Sequence, residues 1–230
     1  MWKDVGLVLC VYGFVFAVLA LSKLLVDRYG YSPRLTRHAI HLFAGPTILL
    51  LPCFSSWVYP FTLPLGMTVI LTLGLLRPSA LRRVMVDESG YSSLHALGPL
   101  YYTLSILVLV PLTWGLKAVG MAAVMIMAWG DGAASTLTSK LHRRHRYPFS
   151  EKTVEGSLIM FLFGLVGASA AWIIGAHTGS PPISPITGFK LALAGATVGT
   201  LAEAITVGWA KPFDNLTVPF SSALAMALLT

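Results

Sequence analysis

A chain of 230 residues in which 56% of side chains are hydrophobic and 11% charged, with a mean hydropathy of +0.76, does not have the composition of a soluble domain. Its net charge of +7 would suit nucleic acid, but the placement of the cations along the chain gives the surplus a different origin. With only Cys10 and Cys53, a disulfide framework and a paired-cysteine metal site are both excluded, and the two thiols, set in or at the end of apolar segments, are expected to be buried and inert.

The first apolar stretch, Val5–Val26, is too long for a signal-peptide core and lacks a small-residue cleavage site, so it is predicted as a retained helix. Further apolar segments follow at 38–53, 57–76, 97–116, 118–139, 154–175 and 188–208, with a short last one at 216–229. At about 20 residues per crossing, the chain has room for about seven or eight spans and no separate soluble domain. The prediction is an all-α polytopic bundle forming one transmembrane domain over residues 1–230. Turn residues separate the spans at Tyr31-Ser32-Pro33, at Arg77-Pro78-Ser79, and at Gly179-Ser180-Pro181-Pro182 with Pro185.

Alternate connections then segregate the cations. One side carries Arg28, Arg34, Arg37, Arg77, Arg82, Arg83, Lys140, Arg143, Arg144, Arg146, Lys152 and Lys211; the other carries Lys3, Lys117 and Lys190, with Lys23 near the basic end of the first span. By the positive-inside rule the richer side is cytoplasmic and the N-terminus lies outside. Part of the basic surplus is therefore topological, and no nucleic-acid partner is expected.

Against this apolar background the acids stand out. The run Trp129-Gly130-Asp131-Gly132-Ala133-Ala134-Ser135 sets a carboxylate inside the fifth segment, where an ionisable group costs about 2.5–3.5 kcal/mol and so faces a cavity, a partner or a metal. At 1.5 Å per residue, Asp131 lies roughly 12 Å from the cytoplasmic end of its span and Glu203 roughly 9 Å from the end of the seventh. Glu155 begins the sixth span, Asp214-Asn215 follow the seventh, and Arg37 and His41 open the second, all from the same side. Every residue from Gly130 to Ser139 except Asp131 and Leu137 is small, which lets a helix or a ligand approach. Ala196, Gly199, Thr200, Glu203 and Thr206 recur at helical spacing as a polar stripe that belongs against protein or water. Gly195 and Gly199 suggest close helix packing and nothing more. In the loop over 140–153, Lys140, Arg143, Arg144, Arg146 and Lys152 outnumber the one acid, Glu151. Ser150 is expected to cap the next helix, with Glu151, Lys152 and Glu155 in its first turns.

An acidic pocket capped by cations suits a metal-bound phosphate: carboxylates hold Mg²⁺, the metal bridges phosphate oxygens, and Lys and Arg neutralise the rest. Phosphoryl transfer requires little beyond that positioning. No Gly-x-x-x-x-Gly-Lys-Ser/Thr run and no Gly-x-Gly-x-x-Gly run occurs, which removes the P-loop, the dinucleotide fingerprint and the protein-kinase glycine loop. His38-x-x-His41 and His142-x-x-His145 have metal-ligand spacing, but each sits at a charged interface without companions.

Four blocks in order resemble the CTP-dependent lipid-alcohol kinases, a family comprising dolichol kinase, phytol and other polyprenol kinases, and the CTP-using diacylglycerol kinase. Arg37-His38-Ala39-Ile40-His41 is similar to the family's Arg-Lys-x-x-His, and Gly130–Ser135 to its Gly-Asp-x-x-Ala-x block. Lys152-Thr153-Val154-Glu155-Gly156-Ser157 resembles its Lys-Ser-x-Glu-Gly-Ser/Thr. Glu203 with Asp214-Asn215-Leu216-Thr217-Val218-Pro219 resembles its closing Glu…Asp-Asn-Leu-Thr-Val-Pro. His38 stands where lysine is usual, which removes a permanent cation, and Thr153 stands where serine is usual, which keeps the hydroxyl.

The resemblance implies Mg²⁺-dependent transfer of the γ-phosphate of CTP to the hydroxyl of a membrane alcohol (phytol, geranylgeraniol, polyprenol or dolichol) at the cytoplasmic face. It implies Asp131 and Asp214 as metal ligands, and Lys152 and Arg37 on phosphate. His41, Ser135, Lys140, Arg143, Arg144, Arg146 and Thr153 are further nucleotide or phosphate contacts. Glu155 or Glu203 would accept the alcohol proton, and Asn215 would orient nucleotide or metal. Two rival readings remain at this point: a cytidylyltransferase that makes a CDP-lipid from a lipid phosphate, and a small transporter whose intramembrane acids carry protons or cations.

Overall fold

Lipid offers no hydrogen-bond partners, so an apolar segment within it must satisfy its own backbone, which it does as helix. The computed structural model describes residues 2–76, 97–178 and 183–230, and these are helical apart from short connections and an isolated bridge between Arg146 and Thr153. Arg77-Pro78-Ser79, Arg82, Arg83 and the Gly179-Ser180-Pro181-Pro182 turn fall outside the described residues.

Helix α1 (Trp2–Tyr29) is followed by α2 (Pro33–Ala44), which tightens into a 3₁₀ segment over Gly45–Cys53. Next come α3 (Val58–Leu76) and α4 (Gly98–Leu112). A single long helical rod follows: a 3₁₀ turn Trp114–Leu116, α5 (Lys117–Met125), a π-helical turn Ile126–Asp131, α6 (Gly132–Leu137) and a closing 3₁₀ turn Thr138–Lys140. After a loop come α7 (Val154–His177), α8 (Pro185–Ile205), the 3₁₀ turn Gly208–Phe213 and α9 (Asp214–Ala227). Four of these, Trp2–Tyr29, Trp114–Lys140, Val154–His177 and Pro185–Ile205, are long and apolar enough to cross a membrane. Helix α4 and residues 58–74 of α3 are shorter apolar helices.

The rod Trp114–Lys140 is the axis of the bundle. In its most apolar window 83% of residues are buried inside the protein, against 11% for α1. A helix that is apolar all round is buried, so the difference between the two lies in what covers them. Met121, Met125 and Ile126 are fully enclosed, with α7, α9 and the Gly45–Cys53 segment packed around them. Helix α1 presents most of its surface outward, where lipid takes the place of protein.

Close approach explains the small residues. A side chain at Gly45 would collide with Ala128 on the rod, and one at Gly199 would collide with Ser222 on α9. As expected from their spacing, Gly195 and Gly199 both pack against α9. The stripe Ala196–Thr200–Glu203–Thr206 is buried, also as expected.

Two expectations are corrected. Cys10 and Cys53 are free and exposed on the protein surface, because an apolar segment of this chain meets lipid as readily as core. Ser150 does not cap α7. Thr153 does, in extended geometry, its hydroxyl accepting from the Gly156 N–H at 3.1 Å, while Ser150 Oγ accepts from the Lys152 N–H at 3.1 Å. The Arg146–Thr153 bridge holds Glu151 and Lys152 out of the helix, so both belong to the loop.

Candidate active site

At one end of the bundle a cavity of about 520 Å³ gathers side chains from five separate stretches of sequence. Helix α2 contributes Arg37, His38 and His41. The π turn ends at Asp131, and Ser135 and Thr138 follow at the i+4 and i+7 positions, on the same helical face. π turns add a residue to a helical turn and recur at functional sites; this one ends at the carboxylate. Helix α8 brings Glu203, and the start of α9 brings Asp214 and Asn215. The loop before α7 supplies Arg144, Arg146, Lys152 and Thr153.

Lys152 is the hub. Its Nζ contacts Glu203 Oε1 and lies 3.8 Å from Asp214 Oδ2. Burial acts to lower the pKa of this ammonium, but the carboxylates of Glu203, Asp214 and Asp131 outweigh it and hold the group above its ordinary value. Burial, reinforced by the Asp131 carboxylate, pushes Asp214 up to about 6 against the opposing pull of Lys152. Three acids thus act on one lysine, while Arg37, Arg144 and Arg146 line the same cavity. Around them, Ser135 Oγ donates to Asp131 Oδ1 at 3.3 Å, and the Asn215 N–H donates to Asp214 Oδ1 at 2.8 Å. Asn215 Nδ2 donates to the Gly98 carbonyl at 3.3 Å, and its own carbonyl accepts from Ser105 Oγ, which ties α9 to α4.

The residues singled out by sequence divide accordingly. Asp131, Glu203, Asp214, Lys152, Arg37, His41, Ser135, Asn215, Arg144, Arg146 and Thr153 all line the cavity, although the Thr153 hydroxyl is committed to its cap. Glu155, Lys140 and Arg143 do not line it. The Glu155 carboxylate accepts from the His145 N–H at 2.9 Å and pairs with His145 Nδ1, so it fastens the loop to α7 instead of joining the other acids. Lys140 and Arg143 are exposed. Sequence reading missed Thr138 and Ser157, whose buried hydroxyls line the cavity without a hydrogen-bond partner among the described residues. Helical register from Asp131 would have found Thr138; Ser157 carries no comparable signal. It also missed the Lys211–Glu151 pair at 2.9 Å on the rim, which joins the loop to the Gly208–Phe213 turn.

Beside the His38 and His41 imidazoles, the donors available to a metal are carboxylate, hydroxyl and amide oxygens, which suit a hard cation. No three His, Cys, Asp or Glu side chains form a complete cage among the described residues.

Searches of solved structures and of family models return no match. Among curated proteins, the chain is similar to phytol kinase from Synechocystis sp., at 30% identity over 97% of this chain and 90% of that one. It is also similar to phytol kinase 1, chloroplastic, from Arabidopsis thaliana, at 25% identity over 98% of this chain and 76% of that one. Probable phytol kinase, chloroplastic, from Triticum aestivum matches at 26% over 99% and 78%. The Synechocystis similarity runs over nearly the whole of both chains, and on that ground the chain belongs to the lipid-alcohol kinase family.

Proposed function

We propose that this protein is an integral-membrane kinase that transfers the γ-phosphate of CTP to the hydroxyl of an isoprenoid alcohol, with phytol as the first substrate to test. We read all the apolar segments as crossings or partial crossings, with the cavity at the cytoplasmic face, where the nucleotide is available. The observation that carries the reading is the cluster of Lys152 with Glu203, Asp214 and Asp131 in one polar cavity set among apolar helices.

In this reading Lys152 and Arg37 bind the phosphates, and Arg144 and Arg146 close over them from the loop. Asp131 and Asp214 would hold Mg²⁺, which when bound neutralises phosphate charge. Glu203 is 6% exposed and accepts the proton of the alcohol as its oxygen bonds to the γ-phosphorus. The bond from that phosphorus to the bridging oxygen breaks, CDP leaves, and the product is a lipid monophosphate. Asn215 orients the Asp214 side of the site through its backbone N–H.

The test is purified protein with Mg²⁺, a panel of lipid alcohols and each labelled nucleoside triphosphate, scored for lipid phosphate. CDP as co-product supports the kinase. Pyrophosphate release from a lipid phosphate would instead identify a cytidylyltransferase, and ion flux without nucleotide a transporter.

A further inference from the structure

A second, partly open cavity, of about 100 Å³, lies beside the first, lined by α1, α2, α3 and α4. It is apolar: Ile40, Ala44 and Ile106 form part of its wall, together with Leu19 of α1 and Met67 of α3. Leu19 and Met67 are half-buried, and α1 is the helix that leaves most of its surface open to lipid. The two cavities meet at His41, which lines both, and at the start of α4, where Gly98 lines the polar cavity and Pro99 the apolar one.

We propose that this chamber receives the isoprene unit next to the hydroxyl of the alcohol substrate, and that His41 and Tyr102 position that hydroxyl at its junction with the polar cavity. The inference rests on the lipid-alcohol kinase reading and assigns the acceptor side of that site. His41 is 4% exposed and Tyr102 7%, and their rings lie tilted together with centroids 4.2 Å apart. His41 Nδ1 and the Tyr102 hydroxyl have no hydrogen-bond partner among the described residues. Buried polar groups are normally paired, so two unpaired ones on neighbouring residues of the cavity wall mark a place where a small rotation of either ring would meet a ligand hydroxyl. An alcohol both donates and accepts; it therefore satisfies either imidazole tautomer together with the phenol.

Size points the same way. A cavity of about 150 Å³ admits benzene, so about 100 Å³ holds four or five carbons, roughly one isoprene unit. The rest of the chain then leaves past Leu19 and Met67 into the bilayer. Recognition is confined to the first unit, and chain length beyond it has little effect on affinity.

Protein purified in detergent is assayed with CTP and geranylgeraniol, and separately photolabelled with a geranylgeraniol analogue bearing a diazirine in its hydroxyl-proximal unit. Labelling is expected on peptides from α3 and α4. Ala44→Leu, which fills the chamber, is expected to raise the alcohol KM about tenfold or more and leave the nucleotide KM within about twofold. Tyr102→Phe should show the same split, and the wild type should bind geraniol and geranylgeraniol with KM values within about threefold of one another. If wild-type protein makes lipid phosphate but the label falls only on α7 and α8, or if folded Ala44→Leu keeps its alcohol KM, the chamber assignment is wrong and the kinase reading survives. If wild-type protein makes no lipid phosphate with any nucleotide, the kinase reading fails and this inference falls with it. Should Ala44→Leu not fold, labelling of the wild type decides.

Discussion

Lys152→Met removes the cation on which three acids converge. The Lys152 side chain is 19% exposed and that of Glu203 8%, so both lie mostly out of water. At the 3.8 Å that separates Lys152 Nζ from Asp214 Oδ2, an effective dielectric of about 20 gives a gross attraction of about 4 kcal/mol. Desolvation offsets part of this, but removing one partner of a buried pair strands the other, typically at about 3–5 kcal/mol. The variant should therefore unfold several degrees lower in detergent. Its kcat should fall about 10²–10³-fold, the size of effect seen when one electrostatic contact to a reacting group is lost. The double variant Lys152→Met/Glu203→Gln separates the two effects. Neutralising Glu203 removes the stranded charge and should recover most of the lost melting temperature, whereas the rate stays down because the phosphate contact and the proton acceptor are then both missing. The measurements are a thermal unfolding curve in detergent and initial rates of lipid-phosphate formation, taken on one preparation of each protein. A folded single variant that turns over within about threefold of wild type would refute the role of Lys152. Unchanged melting of the single variant would refute the electrostatic account of the cluster.

Asp131→Asn keeps the shape of the side chain and removes its charge, so it should fold in detergent yet lose about 10²-fold or more in kcat; near-normal turnover would remove Asp131 from the site. Because Asp214 is raised to about 6, its carboxyl is protonated below that pH, and a metal held there as proposed would have to displace the proton; Mg²⁺ affinity, followed by titration calorimetry, should then fall about tenfold per pH unit below about 6 and level off above it, and Asp214→Asn should abolish this slope. Glu155→Gln should lower kcat less than Glu203→Gln, since Glu155 holds the loop through His145 while Glu203 faces the cavity; the reverse order in steady-state rates would restore Glu155 as the proton acceptor. Thr153→Val deletes the α7 cap and should cost about 1 kcal/mol of stability, seen as a lower melting temperature, whereas Thr153→Ser should be neutral.

Hydropathy was enough to make the chain helical and to place the four long apolar helices, though not to bound the 38–53 segment, because a segment's fate in lipid depends on its own composition and on the helical satisfaction of its own backbone. Hydropathy and charge also marked Asp131, Glu203 and Asp214, since an acid in apolar sequence is conspicuous wherever the chain later carries it. Helical spacing alone put the Ala196–Thr206 stripe on one buried face. Beyond that, composition has no access to partners. Glu155 reads like the other acids, yet Glu155 turns to His145 ten residues away, a choice made by how the loop bridges back at Arg146–Thr153. Apolar sequence around Cys10 is the same whether lipid or protein covers it, and only the position of α1 at the edge of the bundle decides. The meeting of Lys152 with Glu203 and Asp214, and of His41 with Tyr102, joins residues 51 to 62 positions apart in the chain. Distances of that kind are set by which helices pack together, and packing depends on the shapes of many side chains at once.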